Sequence, residues 1–320
     1  MAENKIAEKK DDFMNDVLRL GFECNEKCVF CNFTPESEPA FHRLTTDEAK
    51  EFVKRFAASS HSELSISGGE PTIRKDLLEI ISYARNLGVR QIQIQTNAVM
   101  IGERYASELK EAGLTDAFVA FHSHIPEIQD KLTGLEGSFD KVVPGIKNLI
   151  AAGVSTAVNI VITSHNWHDF PGYIRFVHDN FKGLAHLSMA IVQPHGNARK
   201  DLSLLPRYST IADSINAGLR LADELGLRID NHYCSLPLCF WDPAAVSDTL
   251  EYKESMFLRL NNKGESIDRR IAMVVKDKHQ GPKCADCRLK NFCFGVWDEY
   301  IDLYGFDDID PKDISLKFWG

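Results

Sequence analysis

The sequence predicts an α/β fold built on a parallel sheet, and three observations carry that expectation. Short apolar runs alternate with amphipathic helical stretches along most of the chain, the pattern of strand–helix–strand units. Four helical stretches end alike, at Gly88, Gly113, Gly153 and Gly226, each followed by an apolar residue and then a strand. A glycine just past a helix end is how such αβ connections are built. Residues able to bind ligands recur directly after the strands, at the end where α/β sheets hold theirs.

Taken in order, Val17 to Phe22 is the first apolar run, followed by three thiols at Cys24, Cys28 and Cys31. Asn32 to Arg43, with Pro35 and Pro39 and no periodicity, reads as a loop. Thr45 and Glu48 form a capping box that opens a helix through about Ala58, with Phe52, Val53 and Phe56 on one face. Strands are then expected over Leu64–Ser67, Gln91–Gln95, Ala117–Phe121, Thr156–Ile162 and His186–Val192, with helices between them and a last helix ending at Gly226. Six such units starting at the cysteine loop make a partial (β/α)6 barrel. A doubly wound open sheet is the alternative.

At 320 residues the chain is long enough to bury a large core, and 44% hydrophobic and 26% charged content is ordinary for a globular protein. A net charge of −9 argues against a general nucleic-acid or anionic-membrane binder. No signal peptide or membrane-length apolar run is present. The eight cysteines fall into two groups, which without an export signal points to metal ligation rather than disulfides, and to the cytoplasm.

Three thiolates on one short loop are soft ligands suited to an iron–sulfur cluster or zinc. A closed site of either kind wants four, so three leave a distant fourth ligand or an open metal position. After the second strand stands Gly68-Gly69-Glu70-Pro71, two permissive residues beside a carboxylate.

The spacing Cys24-x3-Cys28-x2-Cys31 with Phe30 before the last thiol, followed about forty residues on by Gly68-Gly69-Glu70-Pro71, resembles the radical SAM superfamily. That resemblance selects the partial barrel. It implies that Cys24, Cys28 and Cys31 hold three irons of a 4Fe–4S cluster whose fourth iron is chelated by S-adenosylmethionine, with Gly68, Gly69 and Glu70 at the methionine end. Thr96 and Asn97 stand where the family carries Thr-Asn-Gly, although Ala98 replaces the glycine here. Ser123 suits a ribose or carboxylate contact, and His122 is the candidate to face substrate. By the same likeness Asn159, a polar break in an apolar strand, meets the ribose or carboxylate or else makes a structural hydrogen bond, and Val192 or Gln193 meets adenine. His124 is expected to be a surface residue. The stretch from Ser123 to Ser138 is expected to be structural.

From about Asn231 the repeat stops. Cys284, Cys287 and Cys293 follow at C-x2-C-x5-C, with Cys239 as the distant fourth thiol of a closed site and Cys234 as its competitor. This resembles the SPASM and twitch appendages of radical SAM enzymes, which carry auxiliary clusters. A full SPASM domain has another cysteine where this chain has Trp297. The five C-terminal thiols suffice for one auxiliary 4Fe–4S cluster, and structural zinc is the competing occupant. The acidic end, Asp307 to Gly320, either covers that site or packs on the barrel.

The expected division is a leader over residues 1–15, a radical SAM core over 16–230 and a cluster-binding domain over 231–320. The resemblance implies reductive cleavage of S-adenosylmethionine to a 5′-deoxyadenosyl radical that abstracts hydrogen from substrate, in an oxygen-sensitive enzyme supplied with electrons by a reductase and flavodoxin or by a ferredoxin. With only about fifteen residues ahead of the first strand, the expected substrate is a small molecule or a short peptide. A peptide maturase of the SPASM group is the first alternative, and a non-catalytic iron–sulfur or zinc scaffold the second.

Overall fold

The computed structural model describes residues 17–59, 61–231, 236–243, 245, 246, 249, 252, 253 and 277–311. Met1–Asp16, Cys234, Phe318 and Trp319 lie outside them. Contacts group the chain into two compact units, Met1–Asn159 with Asp179–His186, and Ile160–His178 with Leu187–Gly320.

Seven strands form one sheet in the order of the chain: β1 Val17–Arg19, β2 Glu63–Ser67, β3 Gln91–Thr96, β4 Asp116–Ala120, β5 Ser155–Ile162, β6 His186–Ile191 and β7 Ile229–Asn231. Every described strand pair in it is parallel. Sequential order decides between the two architectures the alternation allows. A doubly wound sheet reverses its strand order at a switch point, whereas here each crossover steps the same way. Right-handed crossovers then place every helix on one face, as in a barrel. Beyond the six units the sheet has a seventh, three-residue strand, which the Gly226 junction points to although Ile229–Asn231 is too short to show alternation.

The helices are α1 Thr46–Ala57, α2 Leu77–Asn86, α3 Glu103–Ala112, α4 Pro126–Thr133, α5 Ser138–Ala151, α6 Phe170–Asn180 and α7 Tyr208–Glu224. Helix α1 starts at the expected capping box, with Thr45 accepting from the Glu48 amide and Glu48 from the Thr45 amide at 2.8 Å. All four junction glycines adopt the left-handed conformation, with φ between 67° and 115°. Helix α4 was expected only as part of a structural linker. Pro126 at its first position and Gly134 at φ 64° are its start and stop signals.

In the first unit, period-two alternation splits the strands into two unlike faces. Leu18, Leu64, Ile66, Ile92, Ile94 and Val119 are fully buried and form the core under the helices. The opposite, concave face carries Ser65, Ser67, Gln93 and Gln95, tied by bonds from Ser65 to Gln93 (3.3 Å), Ser67 to Gln95 (2.9 Å) and Gln95 to Ser65 (3.0 Å). A barrel filled only for stability would put branched apolar residues there.

The second unit continues past β7 into a two-stranded antiparallel ribbon, β8 Lys278–His279 with β9 Val296–Trp297, and a final helix, α8 Asp298–Tyr304. The chain between β8 and β9 carries Cys284, Cys287 and Cys293. Gly295 crosses the ribbon at φ 88°, and a Cβ there would stand 2.2 Å from the His279 carbonyl oxygen.

Candidate functional site

The loop after β1 carries Cys24, Cys28 and Cys31, and its shape is set by the ends of three neighbouring elements. After β2, Gly69 donates to the Gly21 carbonyl (2.7 Å) and Glu70 to that of Glu23 (2.8 Å). A Cβ on Gly69 would stand 2.1 Å from the Glu23 oxygen, and one on Gly68 2.7 Å from that of Gly21. The close approach these glycines permit is therefore to the cysteine loop itself. Arg74 adds a second tie, bonding the carbonyls of Leu20 (3.1 Å) and Leu44 (2.7 Å). Paired with Asp76 at 2.6 Å, it holds that carboxyl down at about 2.

Glu70 is 3% exposed and serves as the clasp between β2 and β3. It accepts from the Thr72 amide (2.9 Å) and hydroxyl (2.6 Å), from the Thr96 hydroxyl (2.7 Å) and from the Asn97 amide (2.7 Å). Burial nevertheless pushes its carboxyl above the ordinary range. Pro71 begins the short 310 turn Pro71–Ile73 that brings Thr72 under Glu70. Asn97 reaches on to the cysteine loop, donating to Asn25 Oδ1 at 2.7 Å. Ala98 then takes φ 56°, the left-handed conformation that a glycine would adopt freely.

From the far side the α4–α5 junction clamps the same loop. Lys27 and Val29 donate to the carbonyls of Thr133 (2.8 Å) and Leu132 (3.0 Å). Glu26, buried between two of the thiols in sequence, accepts from the Ser138 hydroxyl at 2.8 Å. Burial pushes Glu26 up to about 7. Gln129 accepts from the amides of His122 (2.8 Å) and Ser123 (3.1 Å), which fixes the end of β4. Nothing in the sequence marks Glu26 and Arg74, and Gln129 and Ser138 stand in the stretch expected to be structural without their partners being evident. Each is a lone polar residue in a loop or helix, and only the fold gives it a partner.

His122 is buried, its ring edge-on to Phe30 at 4.8 Å, and burial lowers it to about 3. It is a neutral imidazole packed on the cysteine loop. Ser123 accepts from the Ile125 amide at 3.0 Å, turning the chain into α4. Asn159 lies half-buried on the concave face, in register with Ala120. In the second unit, the Val192 amide donates to Ile162 (2.9 Å), and the Gln193 carbonyl accepts from His195 (2.8 Å).

The residues of the first site fit a cluster and its ligand. Burial first, then the nearby carboxylates of Glu70 and Glu26, pushes the Cys24 thiol up to about 11; burial, then Glu26 and the other two thiols, pushes that of Cys28 well above its ordinary value, and burial raises Cys31. Three such thiols ionise together only against a cationic centre. Beside them the buried Asn25 Nδ2 has no hydrogen-bond partner, a donor in want of an acceptor.

The Radical SAM superfamily model matches residues 18–177, half of the 320-residue chain. The chain belongs to the radical SAM superfamily. It is 29% identical over 290 residues to the Fe-coproporphyrin III synthase of Methanosarcina barkeri, covering 87% of this chain and 70% of that protein. It is also 29% identical over 213 residues to the PqqA peptide cyclase of Bradyrhizobium diazoefficiens, covering 67% of this chain and about half (54%) of that one. In fold it is similar to native anSMEcpe with bound AdoMet, with a TM-score of 0.59, 16% identity and 88% of each chain covered. Membership implies a 4Fe–4S cluster and S-adenosylmethionine.

In the second unit of this radical SAM chain, Cys239, Cys284, Cys287 and Cys293 line one cavity. No described cysteine is in a disulfide. The Leu289 and Gly295 amides each stand 3.4 Å from a cysteine sulfur, those of Cys287 and Cys293. Among the described residues, no three His, Cys, Asp or Glu side chains stand close enough to grip a single ion. Trp297 is buried, edge-on to His195 at 5.4 Å, with Lys278 Nζ 5.0 Å from its ring centre. No described helix is long and apolar enough to cross a membrane.

Proposed function

We propose that Cys24, Cys28 and Cys31 ligate three irons of a 4Fe–4S cluster whose fourth iron takes S-adenosylmethionine, and that Cys239, Cys284, Cys287 and Cys293 ligate an auxiliary cluster. Bound there, the first cluster and S-adenosylmethionine supply a 5′-deoxyadenosyl radical that removes hydrogen from a substrate. The observation that carries the reading is the convergence of three strand ends on one three-thiol loop. Glu70 and the two glycines come from β2, Thr96 and Asn97 from β3, and Phe30 packs on His122 after β4.

Within this reading the chain's own residues orient and exclude water. Asn97 and Asn25 present amide donors beside Cys24. His122, neutral at working pH, packs on Phe30 as an apolar wall of the loop. In the first unit Thr96 on β3, Asn97 after it, Ser123 after β4 and Asn159 on β5 supply polar groups for the methionine and ribose portions.

A small molecule is the favoured substrate. The similarity to Fe-coproporphyrin III synthase spans most of this chain, and the hydroxyl and amide ladder on the concave face suits a compact polar ligand. The similarity to PqqA peptide cyclase supports a peptide as the second reading. A flavodoxin or ferredoxin would supply electrons, and the cytoplasm is the compartment that suits an oxygen-sensitive enzyme.

The test is anaerobic incubation of the iron-loaded enzyme with S-adenosylmethionine and dithionite. The expected product is 5′-deoxyadenosine, abolished by Cys28→Ala. Its absence from the intact enzyme, with the iron in place, would leave a scaffold rather than a catalyst.

A further inference from the structure

The second unit holds the fourth thiol of its cavity in a way the other three do not need. Cys284, Cys287 and Cys293 share one short segment between β8 and β9. Cys239 arrives from far away in sequence, on the 310 turn Leu238–Phe240, and that turn is gripped by one side chain. Asn216 on α7 is only 5% exposed. Its Nδ2 donates to the Phe240 carbonyl at 2.7 Å and to that of Ala212 at 2.9 Å, while its Oδ1 accepts from the Asp242 amide at 3.0 Å. Trp241 Nε1 closes the turn onto the Leu236 carbonyl at 2.8 Å. A buried amide on a helix is costly unless each end is paired. Here two of its three bonds go to the turn that carries Cys239.

The same cavity is lined by Phe306, Ile309 and Pro311. Gly281 makes room for the first of these, since a Cβ there would stand 2.4 Å from the Phe306 ring. Between them Asp308 accepts from the buried Tyr300 hydroxyl at 2.6 Å, and that hydroxyl accepts from the Tyr208 amide at 2.9 Å. The covering segment is thus anchored rather than laid loosely over the site.

We infer that Asn216 is the positioning residue that delivers Cys239 to the auxiliary cluster as its fourth ligand, and that residues 306–311 shield the cluster so placed. The inference rests on the reading that these four thiols hold a 4Fe–4S cluster. It separates two roles such a cluster can have, because a fully thiolate-ligated cluster under an apolar cover leaves no iron for substrate to ligate.

The test uses the full chain with Cys24, Cys28 and Cys31 all changed to Ala, so that only the second site takes iron. After anaerobic reconstitution, about four irons per chain are expected, with an EPR spectrum of the reduced cluster that cyanide, a ligand for open iron, does not alter. Cys234→Ala should keep those irons. Cys239→Ser and Cys239→Ala should give a three-iron signal or a cyanide-responsive one. Asn216→Leu should weaken iron retention roughly tenfold or more and raise the three-iron signal, which a general loss of stability would not do. Phe306→Ala should speed iron removal by bathophenanthroline from a cluster that starts with its full iron. Four irons that respond to cyanide, or a cluster that survives Cys239→Ala but not Cys234→Ala, would overturn the inference alone. One zinc and no iron would overturn both it and the cluster it rests on.

Discussion

Gly69 lies so close to Glu23 that a Cβ on it would stand 2.1 Å from the Glu23 carbonyl oxygen. The obstacle is backbone, so it cannot swing aside as a flexible side chain would. Gly69→Ala is expected to cost ~2 kcal/mol or more of stability and to lower iron at the first site, because the loop bearing Cys24 must move. Urea denaturation and iron analysis of the variant check this, and unchanged values for both would count against the packing described.

The same methyl group should act oppositely at two touching positions, one just after β3 and one on α5. Ala98 sits at φ 56°, where an L-residue is strained by about 1–2 kcal/mol. Ala98→Gly relieves that strain and gives up one small buried methyl, so its stability should fall within about 1 kcal/mol of wild type, on the stabilising side. A Cβ on Gly145 would meet the Ala98 oxygen at 2.2 Å, so Gly145→Ala should cost roughly 2 kcal/mol or more. Thermal unfolding of the pair settles both signs.

Ser138→Ala removes the hydroxyl that donates to the buried Glu26 at 2.8 Å. Leaving that buried carboxylate oxygen without its hydroxyl donor should cost about 1–3 kcal/mol. The Cys24–Cys31 loop is expected to release iron to a chelator faster in this variant, while iron at the second site stays put.

His122 gives a pH signature. Burial holds it at about 3, well below the ordinary value of about 6.5. As pH falls below 6.5 the unfolded chain takes up this proton first. The stabilisation is therefore full above that pH and is lost progressively down to the folded-state value. Between pH 7.5 and 5 the iron-free protein should lose about 2 kcal/mol through this group. His122→Phe should flatten that part of the profile in urea denaturation, and an equal slope in both proteins would show that His122 titrates freely.

Much of this was legible in the sequence because local rules were strong. The capping box at Thr45 and Glu48, the glycine junctions and the placement of Cys24, Cys28, Cys31 and Glu70 after strands all follow from short-range chemistry. What stayed hidden depends on distant partners. Asn216 looks like an ordinary helix polar residue until the Cys239 turn folds onto it. Glu26 and Ser138 are 112 residues apart. Two adjacent glycines in the sequence point to a close approach, and only the fold shows the backbone of Gly21 and Glu23 against them.

The most direct measurement of the three-thiol site is EPR of a variant with Cys284, Cys287 and Cys293 all changed to Ala, reduced anaerobically so that the first cluster alone contributes. Adding S-adenosylmethionine should shift the g-values of that signal, because the sulfonium compound takes the iron that no protein thiol reaches. A spectrum indifferent to S-adenosylmethionine, or zinc in place of iron on Cys24, Cys28 and Cys31, would contradict the open iron on which the radical chemistry depends.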